Sequence, residues 1–183
     1  MIRSMRVLLP LFACGLWAQQ VELHIDPAQT KVEWVLGASL HTVHGTFQVK
    51  RGTVVFDPAT GKASGELVVD ATSGSSGSSG RDRRMHEGIL ETARYPEIVF
   101  RPDRVEGKVD RTGHSQVQVH GVFAIHGTEQ EMTVPVSVDA DGGQYKAAAT
   151  FTVPYVKWGI KNPSTFLLRV SDKVEVTVHT VAR

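Results

Sequence analysis

The eight histidines are the residues of this chain best suited to bind a metal ion. His41 and His44 lie three residues apart in a stretch that alternates like a β-strand, which places them on opposite faces. His120 and His126 share a face but are six residues apart, roughly 20 Å along a strand at ~3.4 Å per residue. Metal ligands lie about 2 Å from their ion, so neither pair can hold one alone. We predict no metal site and interpret the histidines as solvated surface side chains; an ion held by ligands from distant strands is the alternative.

Nucleophilic catalysis has no recognisable motif either. The chain contains no G-x-S-x-G sequence, and its one cysteine, Cys14, lies in the N-terminal leader. The Gly/Ser-rich residues 73–80 are not followed by the lysine of a phosphate-binding loop. No pair of acids stands out for hydrolysis. We therefore predict no catalytic residue and no cofactor.

Length and charge exclude further classes of protein. The 183 residues suffice for one domain with a sizeable core, and the formal net charge is only +1. Basic residues are scattered and do not interleave with aromatic ones, which argues against a nucleic-acid partner. A disulfide framework is excluded by the single cysteine. Beyond the leader, no stretch is apolar enough to span a membrane.

The leader itself predicts export. Arg3 and Arg6 precede an apolar run, residues 7–18, which has about the length of a secretory signal. The favoured division is a signal peptide over residues 1–18 and one domain over residues 19–183. Residues 11–14 also have the Leu-Phe-Ala-Cys order of a lipobox, which would make Cys14 a lipidated first residue. Either division predicts a periplasmic or secreted protein.

Most of the chain alternates apolar and polar residues with period two, the pattern of half-buried β-strands. Turn signals punctuate the runs, and we predict one tight hairpin at Arg51-Gly52 and others near Gly127 and Gly142. Eight to ten short antiparallel strands predict an all-β sandwich or closed barrel. A barrel of about eight strands has room for one slender ligand.

Residues 81–100, RDRRMHEGILETARYPEIVF, break this alternation. Met85, Ile89 and Leu90 form one apolar stripe on a helix. Asp82 stands near the start, where a carboxylate can accept the first free backbone N–H groups. A lone amphipathic helix among strands must lay its stripe on the sheet or across the mouth of a barrel.

The sequence also predicts the structure of the segments before and after this helix. Residues 73–80, SGSSGSSG, are predicted to be a flexible loop. Tyr95-Pro96 ends the helix, because the residue before proline is pushed out of the α region, and a strand begins at Glu97. Farther on, residues 158–164, WGIKNPS, predict a structured turn that leads into the penultimate strand.

Several motifs of this chain resemble the YceI-like family of bacterial exported proteins. The hallmark is R-D-x-x-M-H…L-x-x-x-x-Y-P-x-I-x-F, which residues 81–100 match. Supporting motifs follow in the family's order over residues 26–34, 43–47, 52–58, 123–128, 134–136 and 158–160. The resemblance covers essentially the whole chain after the leader.

The resemblance implies a lipocalin-like, eight-stranded antiparallel β-barrel with one short helix and a lengthwise hydrophobic cavity. Members are similar to carriers of long isoprenoid or other amphipathic lipids. Together with strand parity, it implies that the cavity is lined by Trp34, Phe47, Phe100, Phe123 and Phe151. Arg81, Asp82 and His86 would lie near its mouth and meet the polar head of the ligand.

Alternatives remain open at this point. The charged residues 81–86 are equally compatible with a helix start that carries only an internal ion pair. The same aromatic residues could fill the barrel completely, in which case the protein would be a packed, structural or stress-related envelope protein without a ligand. An enzyme acting on a lipid or a bound metal is a third class, and it would need a buried polar cluster with perturbed titration inside the barrel. A homodimer through exposed barrel faces is compatible with the pattern, which carries no signal for or against it.

Overall fold

A computed structural model describes residues 20–183. The predicted signal peptide and Cys14 lie outside the described residues, so both stay predictions. The described chain forms nine strands: β1 Val21–His24, β2 Lys31–Gly37, β3 Thr42–Phe56, β4 Ala63–Ser75, β5 Glu97–Glu106, β6 Gly113–Ile125, β7 Thr128–Asp141, β8 Gln144–Val153 and β9 Val174–Ala182. A short 3₁₀ helix, Pro27–Gln29, separates β1 from β2. Between β4 and β5, helix α1, Ser79–Arg84, continues as a π turn, Met85–Ile89.

The strands close into one antiparallel barrel with eight positions. The order is β3-β2-β9-β8-β7-β6-β5-β4, and β4 pairs again with β3. β1 and β2 share one position, because β1 pairs with residues 53–56 of β3 and β2 with residues 42–47. Ile25, just after β1, bridges to Ala182 of β9, the strand that β2 also joins. The predicted all-β, lipocalin-like, eight-stranded barrel with one short helix is confirmed.

The barrel has two ends of different construction. At the first, which we call the helix end, the connections are residues 38–41, 76–96, 126–127 and 154–173. At the second, the turn end, they are residues 57–62, 107–112 and 142–143, and none is as long as the helix-end connections 76–96 and 154–173.

Strand β3 corrects the predicted hairpin at Arg51-Gly52. The strand runs unbroken from Thr42 to Phe56, and its pairing with β4 shifts between Val49 and Arg51. Such a bulge moves later side chains to the opposite face without turning the chain. The Arg51-Gly52 sequence therefore marks a bulge within one long strand and not a turn between two strands.

The hairpin predictions near Gly127 and Gly142 are confirmed. His126 and Gly127 have φ of 51° and 72°, and Gly142 and Gly143 have φ of 55° and 89°. Two successive residues with positive φ form the turn whose twist matches antiparallel strands. The hairpins β6–β7 and β7–β8 follow.

The helix is shorter and begins earlier than predicted. It starts at Ser79, so the 73–80 segment is not one flexible loop: its first three residues belong to β4 and its last two to α1. The end comes at a π turn, where the Leu90 N–H donates to the Met85 carbonyl. Glu91 then takes φ 46°, which turns the chain before Pro96 is reached. As predicted, β5 begins at Glu97.

The segment after β8 also differs from its prediction. The turn covers residues 155–159 and so overlaps only the start of the predicted 158–164. The following residues 160–173 form no named strand, and the next strand, β9, is the last one. A single bridge between Ala38 and Val170 ties this segment to the 38–41 connection.

The turn end of the interior is packed. Buried side chains fill it from the inward faces of three strands and the end of β3: Phe56, Val117, Val138, Ala140 and Ala182. At the helix end, inward side chains such as Leu36, Phe47 and Leu90 are only partly buried. The described residues include no helix that is long and apolar enough to cross a bilayer.

Candidate ligand-binding cavity

A cavity of ≈ 390 Å³ lies inside the barrel, on the side of the helix end. Its volume falls in the range of small-molecule sites, about 300–1,000 Å³. The wall is almost entirely apolar, because alternation turns the apolar face of every strand inward. No residue of the turn-end connections 57–62, 107–112 or 142–143 is among those lining it, whereas all but one of the helix-end connections contribute.

All five aromatic residues singled out from the sequence lie in this wall. Trp34 and Phe47 come from the neighbouring strands β2 and β3, with ring centroids 6.4 Å apart. Phe123 meets Phe151 edge-on at 6.2 Å. Phe100, the fifth, pairs with Phe123 across β5 and β6. The wall position of these residues is thus observed, and their contact with a ligand stays a prediction.

Glycine at position 45 allows Trp34 to take this place. A Cβ on Gly45 would lie 2.1 Å from Cζ2 of the Trp34 indole, well inside contact distance. The indole therefore lies flat over the β3 backbone. Its Nε1 is buried without a hydrogen-bond partner, the one such side-chain atom found within residues 20–183.

The deep part of the cavity is made of small side chains. Ala147 and Ala149 of β8 line it together with Thr180 of β9. The Thr180 hydroxyl lies 2.8 Å from that of Thr30, whose own Oγ1 donates to the Asp26 carbonyl. Two alanines at inward positions leave space that larger residues would fill, so the hollow reaches along β8 as far as Ala147, the fourth residue of the strand.

The helix segment closes the opposite side of the cavity. Met85, Ile89 and Leu90, the predicted apolar stripe, all line it. The guanidinium groups of Arg81 and Arg84 stand at the same rim. Arg84 Nη2 donates to the carbonyl of Pro163 at 3.1 Å, which ties the helix to the 154–173 connection. The stripe thus covers the barrel mouth, one of the two positions predicted for it.

Of the three residues predicted for the mouth, only Arg81 lines the cavity. Asp82 does not bond the first N–H groups of the helix, because α1 begins three residues earlier; its carboxylate accepts from the N–H of Ser76 at 2.8 Å and from the Ser76 hydroxyl. These bonds hold the pKa of Asp82 below its ordinary value. His86 Nε2 lies 2.8 Å from the carbonyl of Gly74. Asp82 and His86 thus have partners within the protein, and their predicted role in binding a ligand head stays a prediction.

The family of this chain follows from comparison with known sequences. The YceI-like domain profile matches residues 23–182. The chain belongs to the YceI-like family. The UPF0312 protein of Pseudomonas savastanoi pv. phaseolicola is 30% identical over 130 residues, which cover 66% of this chain and 65% of that relative. The corresponding protein of Pseudomonas syringae pv. tomato gives the same values.

Solved structures share the YceI-like fold. BcnA of Burkholderia cenocepacia superposes with a TM-score of 0.71 at 21% identity, covering 87% of this chain and 99% of BcnA. A polyisoprenoid binding domain from Saccharophagus degradans, implicated in plant cell wall breakdown, gives a TM-score of 0.65 at 14% identity, covering 88% of this chain and 97% of that domain. At these identities the likeness concerns the fold alone.

Several lining residues of this YceI-like barrel were missed from the sequence. The 154–173 connection contributes Tyr155, Ile160, Pro163, Leu168 and Val170, although it forms no named strand after its turn. In a strand, every second residue faces the interior, so lining residues can be predicted there. An irregular segment has no such alternation. The alanine run at 147–149 was a usable signal, because small residues at inward positions of a strand indicate unfilled space.

Tyr155 anchors that connection from inside. Its hydroxyl donates to the carbonyl of Ser171 at 2.6 Å, and the side chain is buried. Burial raises the pKa of Tyr155 to about 12, and the nearby Asp172 carboxylate adds to the rise. The phenol therefore stays protonated and keeps the connection folded over the cavity wall.

Two histidines are less exposed than predicted. The side chains of His120 and His126 are only 21% and 19% exposed. Each lies 2.7 Å from one carboxylate, Asp103 for the first and Glu91 for the second. They are paired with carboxylates rather than free in solvent. Within residues 20–183, no group of three or more His, Cys, Asp or Glu side chains comes together as a metal site would require.

Proposed function

We propose that this YceI-like protein is an exported carrier that holds one isoprenoid or other amphipathic lipid inside its barrel. The observation that carries the proposal is the apolar cavity of ≈ 390 Å³, which aromatic residues line but do not fill. The polyisoprenoid binding domain of Saccharophagus degradans, which has the same fold, supports the same ligand class.

The energetic argument rests on the composition of the wall. Leaving a hydrocarbon chain in water instead of burying it costs about 0.8 kcal/mol of free energy for each CH₂ group. The wall offers aromatic and aliphatic side chains along the whole cavity, and its polar groups lie at the rim and the deep end. An apolar tail can therefore bury itself without desolvating a charge, which favours a lipid over a polar metabolite.

The volume also limits the length of tail. An apolar cavity of about 150 Å³ holds one benzene ring, so by the same ratio ≈ 390 Å³ accommodates on the order of 15 carbons. This corresponds to about three isoprene units. A longer tail would have to extend beyond the cavity or displace the side chains at the rim.

The orientation of the ligand follows from the two ends. The deep end is surrounded by packed core, whereas the rim carries Arg81 and Arg84. We propose that the tail points inward and an anionic or polar head meets these guanidinium groups. Asp82 and His86 would then act indirectly, by holding residues 74–76 against the helix.

We further propose that the protein works outside the cytoplasm. The support is the sequence of residues 1–18, with its basic start and apolar run. A water-filled envelope is a compartment in which a long apolar chain needs such a carrier.

The test is native mass spectrometry of the gently purified mature protein, with organic extraction of whatever is released. We expect a stoichiometric adduct of isoprenoid or other lipid mass. A bare protein that also fails to take up added isoprenoid lipid would overturn the carrier proposal and favour a packed barrel without a ligand.

A matched pair of variants locates the binding. Phe151→Glu places a charge in the cavity wall, and Thr152→Glu places the same charge on the exposed side of the same strand. We expect the first to abolish lipid uptake and the second to leave it unchanged, with folding checked by circular dichroism. Uptake that survives in folded Phe151→Glu would remove this residue from the binding wall.

A further inference from the structure

The helix end carries every large hydrophobic side chain that is strongly exposed within residues 20–183. These are Leu40, 79% exposed, Phe166, 97% exposed, and Leu167, 84% exposed. All three lie in connections that also line the cavity, since Ala38, His41, Pro163 and Leu168 are wall residues. Exposed apolar side chains that cluster, rather than occurring singly, mark an interaction surface.

Phe166 and Leu167 occupy the tip of a tight turn. The N–H of Thr165 donates to the carbonyl of Leu168 at 2.8 Å, and the N–H of Leu168 donates to the Thr165 hydroxyl at 3.1 Å. Turn tips ordinarily carry Gly, Asn, Asp or Ser, which suit both the backbone and water. Here the backbone bonds hold two apolar side chains outward, where the protein offers them nothing to pack on.

Leu40 stands on the adjoining connection. The N–H of Ser39 donates to the carbonyl of Arg169 at 2.8 Å, and Ala38 bridges to Val170. The 38–41 and 163–170 segments are therefore held side by side at the rim. We call the three exposed side chains Leu40, Phe166 and Leu167 the apolar tip.

Basic residues are concentrated in the helix-end connections, the same end of the barrel that carries the apolar tip. The helix-end connections contain eight Lys and Arg against four Asp and Glu, a net charge of +4. The turn-end connections contain three against two. The helix-end basic residues are all exposed, and none forms an ion pair with another residue of the described chain. Among the connections, the excess of positive charge is thus larger at the end that carries the apolar tip, +4 against +1.

We propose that the helix end docks on the surface of an anionic lipid bilayer, with the apolar tip inserted among the headgroups. Apolar side chains that enter the interface and basic residues that face anionic lipids are the two attractions that hold peripheral proteins on membranes. A soluble protein partner would cover the apolar tip but gives no reason for an excess of basic residues without ion pairs at the same end. The occupant is therefore a membrane, and the cavity mouth faces it.

Docking goes beyond the proposed carrier function and does not depend on what fills the cavity. It would bring the rim, with Arg81 and Arg84, to the depth of lipid headgroups. A lipid could then pass between bilayer and barrel without crossing open water.

The test is co-sedimentation of the delipidated mature protein with vesicles of phosphatidylcholine alone and of phosphatidylcholine mixed with phosphatidylglycerol. We expect binding to the anionic vesicles that weakens as salt is added. Phe166→Ser combined with Leu167→Ser should weaken it by roughly tenfold or more, because two apolar side chains no longer enter the interface.

Two double variants test whether attraction to the anionic vesicles depends on the charges of the helix end or on the net charge of the whole protein. Lys161→Glu with Arg169→Glu reverses two charges at the helix end, and Lys62→Glu with Arg111→Glu makes the same change of charge at the turn end. Each basic residue close to an anionic surface strengthens binding by about fivefold, so the first pair should lose roughly twentyfold or more. The second pair should bind nearly as well as the original protein.

Three results would overturn docking: no binding to anionic vesicles, equal loss in the two charge pairs, or full binding by the double serine variant. A change of oligomeric state in the serine variant, seen by light scattering, together with unchanged vesicle binding, would instead assign the apolar tip to a second copy of the chain. Because co-sedimentation reports attachment to vesicles and native mass spectrometry reports occupancy of the cavity, failure of the first leaves the carrier proposal intact, and the reverse also holds.

Discussion

The two ends of this barrel are built from the same strands but differ in how the interior is filled and in what their connections carry. At the turn end, Asp57 closes its connection by accepting bonds from Ala59 N–H and the Thr60 hydroxyl, and the interior behind it is packed. At the helix end, two of the connections are long, and the connections there carry exposed apolar and basic side chains and cover a hollow. We therefore expect stability to be concentrated at the turn end, and the proposed binding to depend on the helix end.

The largest effect should come from filling the interior at each end in turn. Ala149→Trp puts an indole into the hollow, where we expect uptake of a fluorescent isoprenoid to fall by roughly tenfold or more, since benzene alone fills a cavity of about 150 Å³. Ala140→Trp makes the same change in packed core, where overpacking destabilises by typically 1–3 kcal/mol, about the range expected here. Thermal unfolding and uptake should thus separate the two variants.

Two results would contradict this contrast between a hollow helix end and a packed turn end. If Ala149→Trp destabilised the fold as much as Ala140→Trp, the hollow would not be available space. If Ala140→Trp blocked uptake in a folded protein, the cavity would extend through both ends.

An intermediate effect should come from the carboxylates that hold the connections. Asp82 at the helix end and Asp57 at the turn end both have a pKa below the ordinary value, through bonds from Ser76 to the first and from Ala59 and Thr60 to the second. At neutral pH, Asp82→Asn should speed ligand exchange by roughly three- to tenfold, because losing a charge-assisted bond costs on the order of 1 kcal/mol. Asp57→Asn should leave exchange unchanged, because its connection does not touch the cavity.

The sign of the pH dependence follows from the lowered pKa of Asp82. The carboxylate stabilises the folded helix segment above the pKa of the unfolded chain, about 3.9, and this contribution is lost as the pH falls through the lower folded value. Ligand exchange, followed by stopped-flow fluorescence, should therefore accelerate below about pH 4 in the original protein. If Asp82→Asn showed the same acceleration, other groups would be responsible.

The sequence predicted the barrel well because one face of each strand is apolar, and the alternation records this directly. It failed where local geometry departs from period two. The bulge in β3 after Val49 produced a false hairpin, and the π turn at Met85–Ile89 ended the helix before Pro96 could. The bulge depends on the pairing of β3 with β4, and the π turn is closed by the local bond from the Leu90 N–H to the Met85 carbonyl, so neither leaves a mark on the apolar pattern.

The cavity, too, could be predicted only as far as the period-two pattern of the strands reaches. The five aromatic residues could be placed by parity, but whether they fill the interior depends on the size of residues across the barrel, such as Ala147 and Ala149. The irregular segment after β8 supplies wall and rim residues that no periodic pattern can identify. Phe166 and Leu167 were visible in the sequence, yet their exposure follows only from the turn that carries them.

The smallest effect should come from single arginine contacts at the two ends. Arg84 ties the helix to the 154–173 connection through the Pro163 carbonyl, whereas Arg104 reaches only Glu106 of its own strand, at 2.8 Å. Exposed bonds of this kind contribute about 1 kcal/mol or less, so Arg84→Ala should raise the exchange rate by about two- to threefold with little change in unfolding temperature. Arg104→Ala should change neither, because it joins no two elements across the mouth. Equal exchange rates in both variants, measured in solution without vesicles, would mean that the helix and the connection separate independently of this contact, and the covering of the mouth would then rest on the apolar stripe alone.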